Sequence, residues 1–228
     1  MNVLAVDTST NVLHIALLFG ECLDVRMESS GGHHSEELLS RIESILSDHS
    51  VAYSDLDLLV ATRGPGSFTS LRIGFATLKG ISLSRDIPLV SVPTLSLIAE
   101  ACPVFEGITV SVMDAKKKRY YLGAYKNGKV LCELDGNAED LLPYLEGEKT
   151  ITLTGMDANA FSSKLSALLD PSVKLNVDPQ CYRPLGGVLV QMGIDQLQQK
   201  GADDIGQGPV YIRRSDAEEA LLKKLSEE

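Results

Sequence analysis

Residues 3–10 read Val3-Leu4-Ala5-Val6-Asp7-Thr8-Ser9-Thr10, a short apolar run that ends in an aspartate and a polar turn. A second apolar run occupies residues 12–19, and a third segment occupies residues 22–27 after a turn at Gly20. Runs of four to eight residues that are separated by polar turns are typical of strands. The pattern therefore predicts a β-meander.

The same order of elements recurs in the second half of the chain. Residues 109–114 read Thr109-Val110-Ser111-Val112-Met113-Asp114, again a strand-like run that ends in aspartate. A polar turn, a second run at residues 120–125 and the dipeptide Asn127-Gly128 follow, and this dipeptide favours a type I′ hairpin. Short β patterns can match by chance, but here order and spacing agree together, so we interpret the chain as a duplicated unit.

Helical periodicity appears between the two copies. Leu38, Ile42 and Ile45 recur at helical spacing and predict a helix over residues 35–48. A second helix is predicted over residues 69–84, after a buried strand. Strands and helices that alternate in this way indicate an α/β protein.

The predicted division of the chain follows the repeat. We expect an N-terminal lobe at residues 1–105 and a C-terminal lobe at residues 106–228 that ends in a tail helix. No low-complexity linker separates them, so the two lobes should pack closely.

Composition narrows the classes of function. The chain has 228 residues, of which 44% are hydrophobic, and a net charge of −10, which disfavours unaided binding to tRNA or DNA. No apolar run reaches the ~18 residues of a membrane span, and no basic leader precedes the first apolar run, so we expect a cytoplasmic protein without a membrane partner. The four cysteines are far apart, which fits reduced thiols better than zinc ligands or a disulfide framework.

The loop Gly64-Pro65-Gly66-Ser67-Phe68-Thr69 lies between the predicted buried strand and the second helix. Glycines and a helix start can form a cradle for phosphate or carboxylate. The alternative is a tight turn capped by Ser67 or Thr69. No Gly-Lys-Ser/Thr sequence follows, so the loop is not a Walker A motif.

The two strand-end aspartates invite a comparison with the phosphate-binding turn of actin-like kinases and ATPases. That turn carries Asp-x-Gly-Thr/Ser, whereas Ser9 occupies the glycine position here, and the second copy also lacks the glycine. Asp7 and Asp114 could hold water or a cation, or each could cap its own turn. The basic run at residues 116–119 is either a solvated hairpin tip or a contact for RNA.

Small residues mark the predicted second helix. Gly74, Ala76 and Gly80 would let another helix approach closely, either within the chain or from a partner. The adjacent His33 and His34 do not have the spacing of a metal site on a helix, and they fit a polar loop before a helix start.

These motifs together resemble the TsaB (YeaZ) family. The resemblance rests on residues 4–9, on the GPGSFT block with Leu71-Arg72-Ile73-Gly74, on Asp114-Ala115-Lys116 and on Pro209-Val210-Tyr211-Ile212-Arg213. It implies an ASKHA fold, the architecture of actin, Hsp70 and sugar kinases. Such a fold has two ribonuclease-H-like α/β lobes with mixed sheets and flanking helices.

The resemblance also implies a function and partners. Members of the family support synthesis of N6-threonylcarbamoyladenosine in tRNA as a non-catalytic subunit that binds the transferase TsaD, together with the ATPase TsaE. They pair with themselves when TsaD is absent, and tRNA would reach this chain only through the complex. No cofactor is required, although ATP or ADP could lie at the subunit interface.

Site residues are implied by the same resemblance. The partner surface would lie on the helices at residues 35–48 and 69–84, with contacts from His34, Leu38, Arg41, Ile42, Ile45, Arg72, Phe75, Ala76 and Lys79. A nucleotide or anion would contact Asp7, Thr8, Ser9, Gly64, Gly66, Ser67 and Thr69. No catalytic residue and no metal ligand is expected.

Two other functions stay open at this point. The first is an active ATPase or phosphotransferase of the ASKHA superfamily, for which the Asp7 turn and the GPGSFT loop are the motivating features. The second is a peptidase, suggested by an older glycoprotease label on the wider family. Neither a metal-ligand pattern nor a nucleophile with a neighbouring base supports the peptidase.

Overall fold

The computed structural model describes residues 1–29, 34–103, 106–180 and 183–213, and for residues 34–36 it describes the backbone alone. These residues form two five-stranded mixed sheets with helices packed against them. The predicted α/β class is therefore confirmed. The predicted tail helix at residues 215–225, Cys181 and His33 lie outside the described residues.

The first sheet has the strand order β3-β2-β1-β4-β5. Strands β1, β2 and β3 form the predicted antiparallel meander, and β4 and β5 add to it in parallel. Its elements are β1 (Val3–Asp7), β2 (Val12–Phe19), β3 (Cys22–Ser29), α1 (His34–Asp48), a 3-10 turn (Tyr53–Asp55), β4 (Leu58–Thr62), α2 (Phe68–Arg85), β5 (Leu89–Val92) and α3 (Thr94–Glu100).

The second sheet repeats this topology. Its order is β8-β7-β6-β9-β10, so each strand has a counterpart at the same place in the first sheet. The duplicated unit inferred from the sequence is thus confirmed at the level of strand order and direction. Its elements are β6 (Ile108–Asp114), β7 (Tyr120–Lys126), β8 (Lys129–Gly136), α4 (Ala138–Leu145), β9 (Thr150–Thr154), α5 (Ala158–Ser166) and β10 (Lys174–Val177), followed by α6 (Gly186–Lys200).

Both faces of the first sheet are covered. Because successive strand residues point to opposite faces, Leu4 and Val6 pack under α1 and α2, whereas Val3 and Ala5 face α6. The second sheet buries its own apolar cluster, which is centred on Phe161 of α5. Each sheet therefore carries a separate core.

Helix α6 belongs in space to the first sheet. It packs on β1, β2, β4 and β5, although its residues lie within the segment 106–228 that the sequence assigns to the C-terminal lobe. The chain thus returns from the second sheet to the first. A lobe boundary at residue 105 stays a prediction, and the first lobe includes α6 in its packing.

Two elements of the structure were not expected from the sequence. Helix α4 and strand β10 were not predicted, and α4 contains Pro143. The segment at residues 209–213 lies outside any strand. Of the helices in the described ranges, none combines the length and apolar character that a membrane span needs.

Candidate functional site

A cleft lies where the carboxyl ends of β1 and β4 face those of β6 and β9. Its volume is ≈ 630 Å³, which falls in the range of small-molecule sites. In α/β sheets, ligands bind preferentially at this edge. The lining residues are Ser9, Thr10, Asn11, Gly66, Ser67, Phe68, Arg72, Met113, Asp114, Ala115, Lys116, Lys117, Tyr121, Met156, Asp157 and Arg213.

The turn after β1 is closed by its own aspartate. Asp7 is fully buried, and its Oδ1 accepts hydrogen bonds from the Ser9 backbone N–H (2.8 Å) and from the Thr62 hydroxyl (2.7 Å). Thr8 is also buried, and its hydroxyl donates to the carbonyl of Ser70 in α2 (2.8 Å). Asp7 thus caps its own turn, as one of the two sequence interpretations proposed.

The GPG loop packs directly on this turn. The Ser67 backbone N–H donates to the Ser9 carbonyl (2.8 Å). A Cβ on Gly66 would lie 2.9 Å from the Cα of Ser9 and overlap its carbonyl oxygen, so this position excludes any side chain. Ser67 is the N-cap of α2, and its side chain accepts from the Ser70 backbone N–H. The loop therefore acts as a tight strand-to-helix turn. Its Ser67 N–H and the Ser9 N–H of the turn after β1 are both already bonded.

The predicted anion residues separate into three groups. Ser9, Gly66 and Ser67 line the cleft, whereas Asp7, Thr8 and Gly64 are buried behind it and Thr69 is exposed outside its lining. Gly64 has φ +104°, and a Cβ there would lie 2.5 Å from the Val210 carbonyl oxygen. Anion contact by these residues stays a prediction, and the cleft-lining group lies nearest to a ligand in the cleft.

A buried histidine faces the first turn. His14 pairs in register with Asp7 across β1 and β2, and its Nδ1 accepts from the Leu185 backbone N–H (3.3 Å). Burial lowers the pKa of His14 below its ordinary value of 6.5, and the nearby Asp7 carboxylate partly opposes this shift. The imidazole is therefore held in its neutral form.

The turn after β6 forms the opposite wall of the cleft. Asp114 Oδ1 accepts from the Lys116 backbone N–H (2.8 Å), and Asp157 accepts from the Asp114 N–H (2.7 Å). Burial acts to raise the pKa of Asp114, but the hydrogen bonds and charge of Lys116 outweigh it and hold the pKa below its ordinary range. Lys116, Lys117 and Lys118 all have positive φ, a left-handed turn that costs roughly 1–2 kcal/mol per residue.

Several cleft residues escaped the sequence analysis. Tyr121, the adjacent pair Met156 and Asp157, and Arg213 come from three separate segments and carry no shared motif. Asp157 alone had a usable signal, because it follows β9 and Gly155 much as the GPG loop follows β4.

Four of the predicted partner residues are buried within this chain. Leu38, Ile42, Ile45 and Phe75 are at most 3% exposed and pack in the core of this chain beneath α1 and α2. In this conformation they stabilise the lobe, and their contact with a partner stays a prediction. The side chain of His34 lies outside the described residues.

The other predicted partner residues do reach the surface. Arg41, Arg72 and Ala76 are exposed and Lys79 is half-buried. Five of the exposed positions on α2 form one helical stripe, the α2 stripe, made of Thr69, Arg72, Ala76, Gly80 and Leu83. A Cβ at Gly80 would meet nothing within 4 Å, so no neighbour in this chain requires glycine there. A partner surface on α1 and α2 stays a prediction, and these exposed residues are the ones that would form it.

Metal-ligating side chains are dispersed in the part of the chain that the structure describes. No three His, Cys, Asp or Glu side chains within it group as a metal site. His49 instead contacts Asp24 (2.9 Å), and the hydrogen bond from His49 is the main reason why the pKa of Asp24 is lowered.

Comparisons with known proteins agree with the motif-based resemblance. Residues 28–161, more than half of the chain, match the family model described as TsaD: tRNA N6-adenosine threonylcarbamoyltransferase. The Bacillus subtilis (strain 168) tRNA threonylcarbamoyladenosine biosynthesis protein TsaB is 29% identical over 225 residues, which covers 96% of each chain. The TsaB of Escherichia coli (strain K12) is 30% identical over 128 residues, 55% of each chain.

A solved structure supports the fold. A Pseudomonas aeruginosa protein described as similar to peptidase YEAZ superposes with a TM-score of 0.76 at 22% identity, over 93% of this chain and 99% of that one. This likeness and the duplicated sheets identify the two-lobed ASKHA architecture. The chain belongs to the TsaD family and, within that family, resembles the TsaB (YeaZ) proteins.

Proposed function

We propose that this chain acts in tRNA threonylcarbamoyladenosine biosynthesis as a non-catalytic subunit that binds and supports a TsaD-type transferase together with TsaE. Its relatives named TsaB carry the biosynthetic role in their names, and one of them aligns over 96% of both chains. With a net charge of −10, the chain would meet tRNA through the complex in the cytoplasm.

The observation that carries the proposal is the closed first turn. A phosphate-binding turn needs free backbone N–H groups that approach the ligand closely. Here the Ser9 N–H is bonded to Asp7, the Ser67 N–H is bonded to Ser9, and Gly66 presses on the backbone of Ser9. The residues that would cradle a phosphate hold the lobe together instead, which supports a structural role for this site.

The α2 stripe is the surface on which a partner would bind. Its centre, Ala76 and Gly80, offers small residues that allow a second helix to approach, and Leu83 is 68% exposed at one end. Leu39 of α1 adds a further half-exposed apolar side chain. TsaD would cover this surface in the complex, and a second copy of the chain would cover it when TsaD is absent.

The experiment compares two charge insertions on exposed helices. Ala76→Glu places a carboxylate at the centre of the α2 stripe. Ala160→Glu places the same side chain at an exposed position in the first turn of α5, where the helix dipole favours an acid. Affinity for purified TsaD is measured by calorimetry, and TsaE is added to test the ternary complex.

The expected result is selective. Ala76→Glu should weaken TsaD binding at least about tenfold because it buries an unpaired charge at the interface. Ala160→Glu should bind like the unmodified chain, and both variants should retain its circular dichroism spectrum. Equal affinity of all three chains for TsaD, or no binding by the unmodified chain, would contradict the proposal.

A second candidate function is an active ATPase or phosphotransferase that binds ATP or ADP in the cleft. Asp7 Oδ2 and Ser9 Oγ are buried without a hydrogen-bond partner among the described residues, and the cleft volume suits a nucleotide. ATP turnover by the purified chain, lost in Asp114→Asn with the fold retained, would favour this candidate. Turnover at the background rate in both chains would exclude it.

A further inference from the structure

The segment at residues 203–213, called the strap, follows α6 and contains neither helix nor strand. It begins on the first lobe, where the Asp203 N–H donates to the Leu89 carbonyl (2.9 Å) and Gln207 Nε2 donates to the Ser91 hydroxyl (3.0 Å). Lys79 of α2 donates to the Ile205 carbonyl (2.6 Å). The strap is therefore anchored along the edge of the first sheet.

Its middle part closes on the start of α2. The Val210 N–H donates to the Arg63 carbonyl (2.6 Å), and the missing side chain of Gly64 leaves room for the Val210 carbonyl. Tyr211 stacks on Phe68, with ring centroids 4.4 Å apart and an angle of 12° between the ring planes. The strap thus covers the first turn of α2 at the mouth of the cleft.

Tyr211 also engages Arg72. Arg72 Nε donates to the Tyr211 hydroxyl (2.9 Å), and the guanidinium carbon lies 5.5 Å from the centre of the Tyr211 ring. Arg72 is a member of the α2 stripe as well. One exposed cation therefore belongs both to the strap contact and to the surface on which a partner would bind.

The end of the strap reaches the second lobe. Arg213 Nη1 donates to the Ala115 carbonyl (3.1 Å), and Arg213 Nε lies 3.9 Å from Asp135. Ile212 packs on a cluster that includes Tyr121 and Tyr125 of β7. Within three residues, 211–213, the strap joins α2 of the first lobe to β6 and β7 of the second across the cleft.

We propose that the strap is a latch that holds the two lobes together at the cleft through the contacts of Tyr211. The latch releases when a partner binds Arg72 and separates it from Tyr211. The release step rests on the proposed function, whereas the latch itself does not. A partner carboxylate binds a guanidinium more strongly than a neutral phenol does, so it would draw Arg72 from Tyr211. Because such coupling is reciprocal, loss of the latch should favour partner binding.

The test uses three tyrosine variants of the full chain. Tyr211→Ala removes both the stack and the hydrogen bond, and Tyr211→Phe removes the hydrogen bond alone. Tyr144→Ala is the matched control, because Tyr144 is exposed on α4 of the second lobe. Hydrogen exchange is followed at the strap and at the turn after β6, where the Ala115 and Arg119 N–H groups are hydrogen-bonded.

The latch predicts a response on the far side of the cleft. Tyr211→Ala should accelerate exchange about three- to tenfold in the strap and also at residues 115–119, with a smaller effect in Tyr211→Phe and none in Tyr144→Ala. Acceleration that stays within the strap and α2 would overturn the latch. A circular dichroism spectrum equal to that of the unmodified chain shows that each variant is folded.

Affinity for TsaD tests the release step separately. Tyr211→Ala should bind TsaD about three- to tenfold more tightly than Tyr144→Ala. Equal or weaker binding would overturn release. If the unmodified chain does not bind TsaD at all, the proposed function and the release step both fail, while hydrogen exchange still decides whether the latch exists.

Discussion

The two lobes place an aspartate at the end of the same strand and then use it in opposite ways. In both, Oδ1 accepts the N–H of the residue two positions later at 2.8 Å. Asp7 is completely buried beneath the GPG loop and α2, whereas the Asp114 side chain is 38% exposed and lines the cleft. The turn at Asp7 is buried and connects elements of its own lobe, whereas the turn at Asp114 lines the cleft.

The difference arises from the loop that leaves the parallel strand in each lobe. After β4, the GPG loop lies against Ser9 and closes the turn from above. After β9, Gly155 is followed by a turn that carries Asp157. The Asp157 carboxylate accepts a hydrogen bond from the Asp114 backbone N–H, whereas the Asp114 carboxylate accepts one from Lys116 Nζ. The duplicated topology therefore fixes where the turn lies, and the loop that covers the turn decides whether a ligand can reach it.

The largest effect is expected from filling the contact that closes the first turn. Gly66→Ala forces a Cβ onto the Ser9 backbone, which cannot rotate away as a side chain could, so we expect a loss of about 3 kcal/mol in the free energy of unfolding. Urea denaturation measures this value. Gly80→Ala is the matched control, because open space there predicts a gain of about 1 kcal/mol. A neutral Gly66→Ala would show that the turn is not closed as described.

The paired aspartates test the comparison directly. Asp7→Ala leaves two buried donors, the Ser9 N–H and the Thr62 hydroxyl, without an acceptor and should cost about 2 kcal/mol of unfolding free energy. Asp114→Ala should cost about 0.5 kcal/mol, because its partner Lys116 is solvent-exposed. Thermal or urea unfolding compares the two variants. Equal losses of unfolding free energy would mean that the two aspartates contribute equally to stability, which contradicts the difference between the turns.

The smallest effect is a pH dependence that belongs to the first lobe alone. His14 faces Asp7, whereas Tyr120 holds the equivalent position beside Asp114. Because burial lowers the pKa of His14 in the folded chain, the unfolded chain binds the proton first as the pH falls. The contribution to stability is complete above pH 6.5, the ordinary pKa, and is lost as the pH falls below it towards the folded-state pKa.

Replacement of this histidine isolates its share of the pH dependence. Unfolding free energies are measured from about pH 7.5 to about pH 5, a range that spans the ordinary histidine pKa. As the pH falls, the unfolding free energy should decrease less steeply in His14→Gln than in the unmodified chain. Other ionisable groups are unchanged between the two chains and cancel in the difference. An unchanged slope would show that His14 is not held neutral by burial.

Much of the fold was predictable because its pattern is local. Apolar runs that end in aspartate defined β1 and β6, and Asn127-Gly128 has positive φ at both residues, as the predicted type I′ turn requires. Helix α4 escaped because Pro143 usually ends or interrupts a helix and only eight residues carry the pattern.

The site was less predictable from the sequence because it depends on tertiary contacts, that is, on which segment packs against each helix face. The helical spacing of Leu38, Ile42 and Ile45 indicates an apolar face, but the same spacing results whether the face meets this chain's own sheet or a partner. Contacts between Tyr211 and Phe68 join segments that are far apart in sequence, and no periodicity reports such a pair.

We propose that this chain supports catalysis without taking part in it. The most direct measurement titrates the chain into a fixed amount of TsaD and TsaE and follows the rate of threonylcarbamoyladenosine formation in tRNA. Ala76→Glu should need at least about tenfold more chain for half the maximal rate yet reach the same maximum, and Asp114→Asn should match the unmodified chain in both values. A lower maximum for Asp114→Asn at unchanged half-saturation would place chemistry in the cleft of this chain and contradict the account.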